Sequence, residues 1–187
     1  ESIFQPAWSP PGPADSGRLT FVSDRSDWWN LYRWTPGGAQ ALMPLDAEFG
    51  VPQWGLARGT YGFADTETVI CAYVRDGSVT VARPDLVGGA LEPLRAFSFV
   101  GTLRVNGGCA AFVAGAPAEH PSVVRFDLQT REFQPLRLAS PTSLDAAFVS
   151  PPEVVDYPTA NGVMAHAFFY APRNPFYRAN PFRTPTG

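Results

Sequence analysis

Lysine is missing altogether: all 14 basic residues of this 187-residue chain are arginine. Neither folding nor solubility asks for that, and it reads as a bias of genome composition. Charge as a whole is scarce, at 17% of residues, where soluble domains carry roughly 25%. So low a fraction excludes a disordered polyelectrolyte. The formal net charge is −3 and no basic cluster occurs, which speaks against nucleic acid or an anionic membrane as partner. Cysteine is limited to Cys71 and Cys109, without the CxxC spacing of a zinc site. Each lies in an apolar run, 68–74 and 109–113. That suits a pair of buried free thiols, with a disulfide or a shared metal as the alternative. No apolar run is long enough for a membrane helix and no leader peptide is visible, so a cytoplasmic setting is expected. The chain opens at Glu1 without a methionine, which points to removal of an upstream segment. No window of a dozen residues has helical periodicity, so almost no helix is expected.

What the chain has is turns and rings. Gly 17, Pro 20 and 13% aromatics are spread along its length, as in an all-β protein. Three units can be superposed. Each has a strand at 18–24, 68–74 or 109–115 and a second at 30–34, 79–83 or 122–126. Each closes on a short proline-containing strand: Ala41-Leu-Met-Pro-Leu45, Leu91-Glu-Pro-Leu94 and Phe133-Gln-Pro-Leu136. A strand repeat of about 40 to 50 residues is the spacing of propeller blades. The apolar segments 4–8, 51–54, 101–105 and 144–149 are then expected to be the inner strand of each blade. The fold class expected is all-β: a partial β-propeller of about three four-stranded antiparallel blades, at roughly 4–50, 51–99 and 100–150, within a region 1–150.

Residues 151–172 differ. Two apolar strands flank Asn161-Gly162, a strong hairpin signal. Alternation puts Val163, Ala165, Ala167 and Phe169 on one face and Met164, His166, Phe168 and Tyr170 on the other. The tail 173–187 is polar and proline-rich and is expected to be loop or disorder.

Two stretches carry a resemblance. Trp8-Ser-Pro10, Leu19-Thr-Phe-Val-Ser-Asp-Arg25 and Trp28-Trp-Asn-Leu-Tyr-Arg33 resemble a propeller blade of the prolyl oligopeptidase family, nearest its acylaminoacyl-peptidase and dipeptidyl-aminopeptidase branch. Glu153-Val-Val-Asp-Tyr-Pro158, Asn161-Gly162 and His166-Ala-Phe-Phe-Tyr-Ala-Pro172 resemble the hairpin that leads from that propeller into an α/β-hydrolase domain. The resemblance implies a propeller that gates the access of short peptides to a serine peptidase site. Two departures stand out. Pro10–Gly17 is longer than the family's turn, an insertion that a surface turn tolerates. The His-Gly-Gly-Pro and Gly-x-Ser-x-Gly segments of the hydrolase domain do not occur.

Chemistry is therefore thin. Acyl transfer needs a nucleophile, a base and an oxyanion hole. No catalytic residue, cofactor-binding residue or metal ligand is assigned. His166 alternates with Met164 and Phe168, which suits a structural histidine. His120, in Glu119-His-Pro121, is expected in a solvated turn. The polar stretch from Asp24 to Asn30 has two readings. One is a substrate-side loop built on Asp24, Arg25, Trp28 and Trp29. The other is structural, with Asp24 and Arg25 paired, Asn30 capping the turn and a Trp covering the blade edge. Glu48 and Arg58 are candidates for a central channel. An incomplete ring exposes a sheet face at each end, so a homodimer through blade faces is expected, to be broken by Asp at Phe112 or Val124. A different class also fits: a stand-alone propeller-like binding or assembly module, which has no need of the 151–172 hairpin.

Overall fold

The computed structural model describes residues 1–13, 16–117, 119–142 and 145–177. They form antiparallel sheets in chain order. The first comprises β1 (Ile3–Trp8), β2 (Leu19–Ser23), β3 (Asn30–Thr35) and β4 (Gly38–Ala41). The second comprises β5 (Tyr61–Phe63), β6 (Val69–Arg75), β7 (Ser78–Pro84) and β8 (Leu91–Phe97). In the third, β9 (Phe99–Val100) and β10 (Arg104–Asn106) both pair with β11 (Cys109–Ala116), followed by β12 (Glu119–Asp127) and β13 (Phe133–Leu138). A separate hairpin joins β14 (Pro152–Pro158) to β15 (Met164–Tyr170). The architecture is a partial propeller, as the sequence reading expects.

Alternation along β6 explains how the sheets stack. Val69 and Cys71, with Tyr61 of β5, enter one core with Phe4, Val22, Leu31 and Phe49 of the first sheet and its linker. Ile70 and Ala72 point the other way, into a core with Phe97, Ala110, Phe112, Val124 and Phe126. A strand buried on both faces reads as an unbroken apolar run. Each fully buried aliphatic side chain contributes about 1.5–3 kcal/mol. Two side chains then lock the first sheet to the second. The Gln5 amide donates to the Tyr61 carbonyl at 2.7 Å and accepts from the Thr60 N–H at 2.8 Å. The Tyr61 hydroxyl donates to the carbonyls of Gln5 and Thr20, at 2.7 and 2.8 Å. Gln5 reaches this position through a bulge, with φ 50°.

The proline repeat has a structural meaning. Ala82 pairs with Pro93 and Val81 with Arg95, which leaves Leu94 as an extra residue. In the third sheet Val124 pairs with Pro135 and Val123 with Arg137, which leaves Leu136. Proline cannot donate to a ladder, so it sits on an outer strand at a bulge. The first unit departs from this. β4 ends at Ala41, before Pro44, and Asn30 takes over: its side chain donates to the Leu45 carbonyl and accepts the Leu45 N–H, both at 2.9 Å.

Inner strands depart from expectation most. Residues 51–54 form no strand; Pro52 lacks a donor and its carbonyl accepts the Gly55 N–H in a turn. The inner strand of that sheet is Tyr61–Phe63 instead. In the third sheet β10 starts only at Arg104, because Gly101 is held by the Val113 carbonyl at 2.7 Å. Of 144–149, Leu144 lies outside the described residues and Ala146–Phe148 is a 3-10 turn capped by the Asp145 carboxylate. The Asn161-Gly162 hairpin is present, with Pro158 opposite Met164 and both turn residues at positive φ. Its loop runs over five residues, 159–163, because the Thr159 N–H closes onto the Val163 carbonyl. Residues 173–177 carry no regular structure, and the remainder of the expected tail, 178–187, lies outside the described residues.

Candidate substrate-facing rim

β2, β6 and β11 all run towards the same rim of the stack, so the turns that follow them lie together. A chain of contacts traces that rim. The Trp29 N–H donates to Glu48 Oε2 at 3.0 Å. The Glu48 backbone pairs with Val74 in both directions, at 2.9 and 2.8 Å. Val74 leads into the Arg75–Ser78 turn, where Gly77 meets the ring of Phe168 from β15. The Asp24–Trp29 turn and the hairpin thus share one rim.

The four candidates of that turn separate by role. Asp24 Oδ1 accepts the Ser2 N–H at 2.7 Å and does not pair with Arg25. Arg25 pairs with Glu1 and lies over the stacked rings of Phe21 and Tyr32, 5.6 and 5.0 Å from their centroids. The Arg25 hydrogen bond holds the Glu1 carboxyl below its usual range. The expected Asp24–Arg25 pair is therefore corrected: Asp24 has a backbone donor nearer, and Arg25 gains both a carboxylate and two ring faces. Asn30 does bond the Trp28 carbonyl, at 3.3 Å, but its main work is on Leu45. Trp29 turns inward, edge-on to Phe4 and against Gly50, where a Cβ would come within 2.8 Å of the indole. Trp28 stays exposed on the rim.

Exposed apolar side chains gather on this rim. Trp54 is 88% exposed and Leu56 is 90% exposed, both in the loop that leads into β5, and Phe99 adds to them. Glu48 and Arg58 line one cleft of about 50 Å³ with Gly50, Thr60, Val74 and Gly101. The opposite rim is built from polar turns. Asp65, Asp85 and Asp127 each accept two backbone N–H groups, from the residues two and three positions on. At Asp85 and Asp127 these donors hold the carboxyl below its usual range, aided at Asp127 by Arg125. At Asp65 burial pushes the carboxyl up, and the Glu67 and Thr68 donors outweigh it.

The two histidines lie in different elements, His166 in β15 and His120 in β12. His166 Nδ1 lies 2.7 Å from Asp156 Oδ1, across the hairpin and in solvent. No hydroxyl or thiol bonds this histidine among the described residues. Its partner was legible in the sequence, since positions 156 and 166 are equidistant from the Asn161 turn. His120 departs from expectation: it lies in β12, half-buried, because the strand starts at Glu119, and its Nε2 is buried without a hydrogen-bond partner. Cys71 and Cys109 are both free. Burial pushes the Cys71 thiol up, whereas Cys109 is only half-buried, on the outward face of the third sheet. No helix among the described residues is long and apolar enough to cross a membrane.

No family model matches the sequence, and no curated protein matches it. Solved structures do. A puromycin hydrolase superposes with a TM-score of 0.83 at 26% identity, over 98% of this chain and 27% of that one. A puromycin-hydrolyzing peptidase of Mycobacterium tuberculosis gives 0.85 at 26% identity, over 96% and 28%. The chain thus spans little more than a quarter of these peptidases and resembles their propeller part, in keeping with the prolyl oligopeptidase likeness of its motifs. TolB of Acinetobacter baumannii, at 0.53 and 14% identity over 91% of this chain, shares the fold alone.

Proposed function

We propose that this chain is the propeller part of a serine peptidase of the prolyl oligopeptidase type, in the acylaminoacyl- or dipeptidyl-peptidase branch. Its role is to gate the access of short peptides to a hydrolase domain whose motifs lie outside this sequence. The observation that supports this reading is the hinge-like hairpin docked on the Arg75–Ser78 turn, which a run of backbone contacts through Val74 and Glu48 links to Trp29 of the Asp24–Trp29 turn. Trp28 is the substrate-side contact of that turn, and Asp24 and Arg25 hold it in place. Two free thiols suit a reducing, cytoplasmic compartment. The chain pairs with a second copy through open sheet faces. A stand-alone binding module remains the second reading, and the TolB likeness in fold is what favours it.

The test uses a protein expressed from the reading frame extended beyond Gly187. His-Gly-Gly-Pro and Gly-x-Ser-x-Gly segments, with hydrolysis of short peptide amides and refusal of long chains, support the gate. An extended frame without those segments, or cleavage indifferent to peptide length, removes it.

A further inference from the structure

We propose that Phe168 and Gly77 form a latch that fixes the hairpin on the second sheet, and that a glycine is needed at 77 because the ring occupies the place of its side chain. The latch concerns this chain alone and does not rest on the peptidase reading. A Cβ built on Gly77 would lie 2.0 Å from Phe168 Cζ and 2.5 Å from Cε1. No L side chain fits there without displacing the ring. Gly77 also has φ +73°, in the left-handed region.

The surroundings show why one contact matters so much. At the latch, hairpin and propeller flank an open cleft of about 490 Å³. Phe97, Ser98 and Pro117 line it from the propeller side and Pro152, Val154 and Tyr170 from the hairpin side. An interface with that much open space has few other contacts to hold it. A two-stranded hairpin is marginal by itself in water. Its strands here are largely exposed, with Val154, Phe169 and Tyr170 all above half. The hairpin therefore depends on docking, and docking depends on the ring seated against Gly77. Phe168 is a positioning residue: it sets the direction in which the chain leaves the propeller.

Glycine at 89 provides a matched control. Gly89 has φ +71° and nothing within 4 Å of its would-be Cβ. Gly89→Ala carries the same backbone strain as Gly77→Ala without the collision. The experiment is hydrogen exchange of the β14 and β15 amides, read by mass spectrometry on the whole chain. Gly77→Ala and Phe168→Ala are expected to exchange about tenfold faster in the hairpin, with β6 and β11 unchanged. Gly89→Ala is expected to leave hairpin exchange at the wild-type rate. In the double variant the alanine at 77 adds no further loss, because the ring it would strike is gone. Wild-type hairpin protection in either Gly77→Ala or Phe168→Ala overturns the latch. So does an equal loss in Gly89→Ala, which would reduce the effect to backbone strain.

Discussion

Asn30 does the work of a missing strand. Its side chain carries the Leu45 backbone in both directions and also bonds Trp28, while being almost fully buried. Removing it orphans the Leu45 N–H and carbonyl beside a buried position, so Asn30→Ala is expected to lower stability by about 2–3 kcal/mol in urea unfolding. Asn30→Asp should fare no better, since a carboxylate cannot donate to the Leu45 carbonyl. Thiol chemistry divides at the same scale. Cys71 is sealed and held protonated by burial, and Cys109 is half-open. Titration with an aromatic disulfide should find one reactive thiol in the native protein and two in urea; two native thiols would mean the second sheet opens readily. The sequence showed both cysteines to be in strands. It hid the difference between them, because Cys109 lies on a face that no further sheet covers.

At the scale of elements, the outer strands were more legible than the inner ones. Apolar runs such as 69–74 declare themselves because both faces are buried. Tyr61–Phe63 does not, because its place in the sheet depends on Gln5 and Thr60, 55 residues apart in sequence. Val51–Trp54 looked like a strand by composition, yet Pro52 starts a turn and Trp54 points to solvent. Of the candidate rim, the Asp24–Trp29 turn was found from its residues; its neighbours Trp54 and Leu56 were not, since single apolar residues in a loop give no periodic signal. The polar rim makes a pH prediction. Asp85 and Asp127 have folded pKa values below their unfolded ones, so their contribution is present above about pH 4 and fades as pH falls through the folded values. Asp85→Asn with Asp127→Asn should therefore flatten the stability-against-pH curve below pH 4 while leaving it unchanged in shape near pH 7. An acid limb as steep as the wild type would assign that slope to other carboxylates.

For the molecule as a whole, the ends decide behaviour in solution. Phe112 and Val124 face the core between the second and third sheets, so Asp at either is expected to unfold the chain and not merely to part a dimer. The outward positions of the third sheet include Val113 and Val123, which pair with each other at 40% and 39% exposure, next to the Arg125–Asp127 ion pair. The first sheet's outward face is more apolar, with Trp8 66% and Trp34 57% exposed. Light scattering is expected to give twice the chain mass of 20.3 kDa, with Trp8→Asp and Trp34→Asp shifting it to the monomer. A wild-type monomer at micromolar concentration would remove the dimer. Incubated with aminoacyl chromogenic amides, the chain alone should match buffer; turnover abolished by a serine-directed inhibitor would show chemistry that its sequence does not declare.

The middle sheet gives Val69 and Cys71 to one core and Ile70 and Ala72 to the other. Neither core exists without it, while each outer sheet belongs to one core only. Such an array behaves as a short line of coupled units, in which the central one melts last and the outer ones fray first. Pulled from both termini, the chain should first lose one outer sheet together with the core it shares with the middle sheet. The middle sheet should then give way in the same step as the remaining outer sheet, because a lone sheet keeps no core.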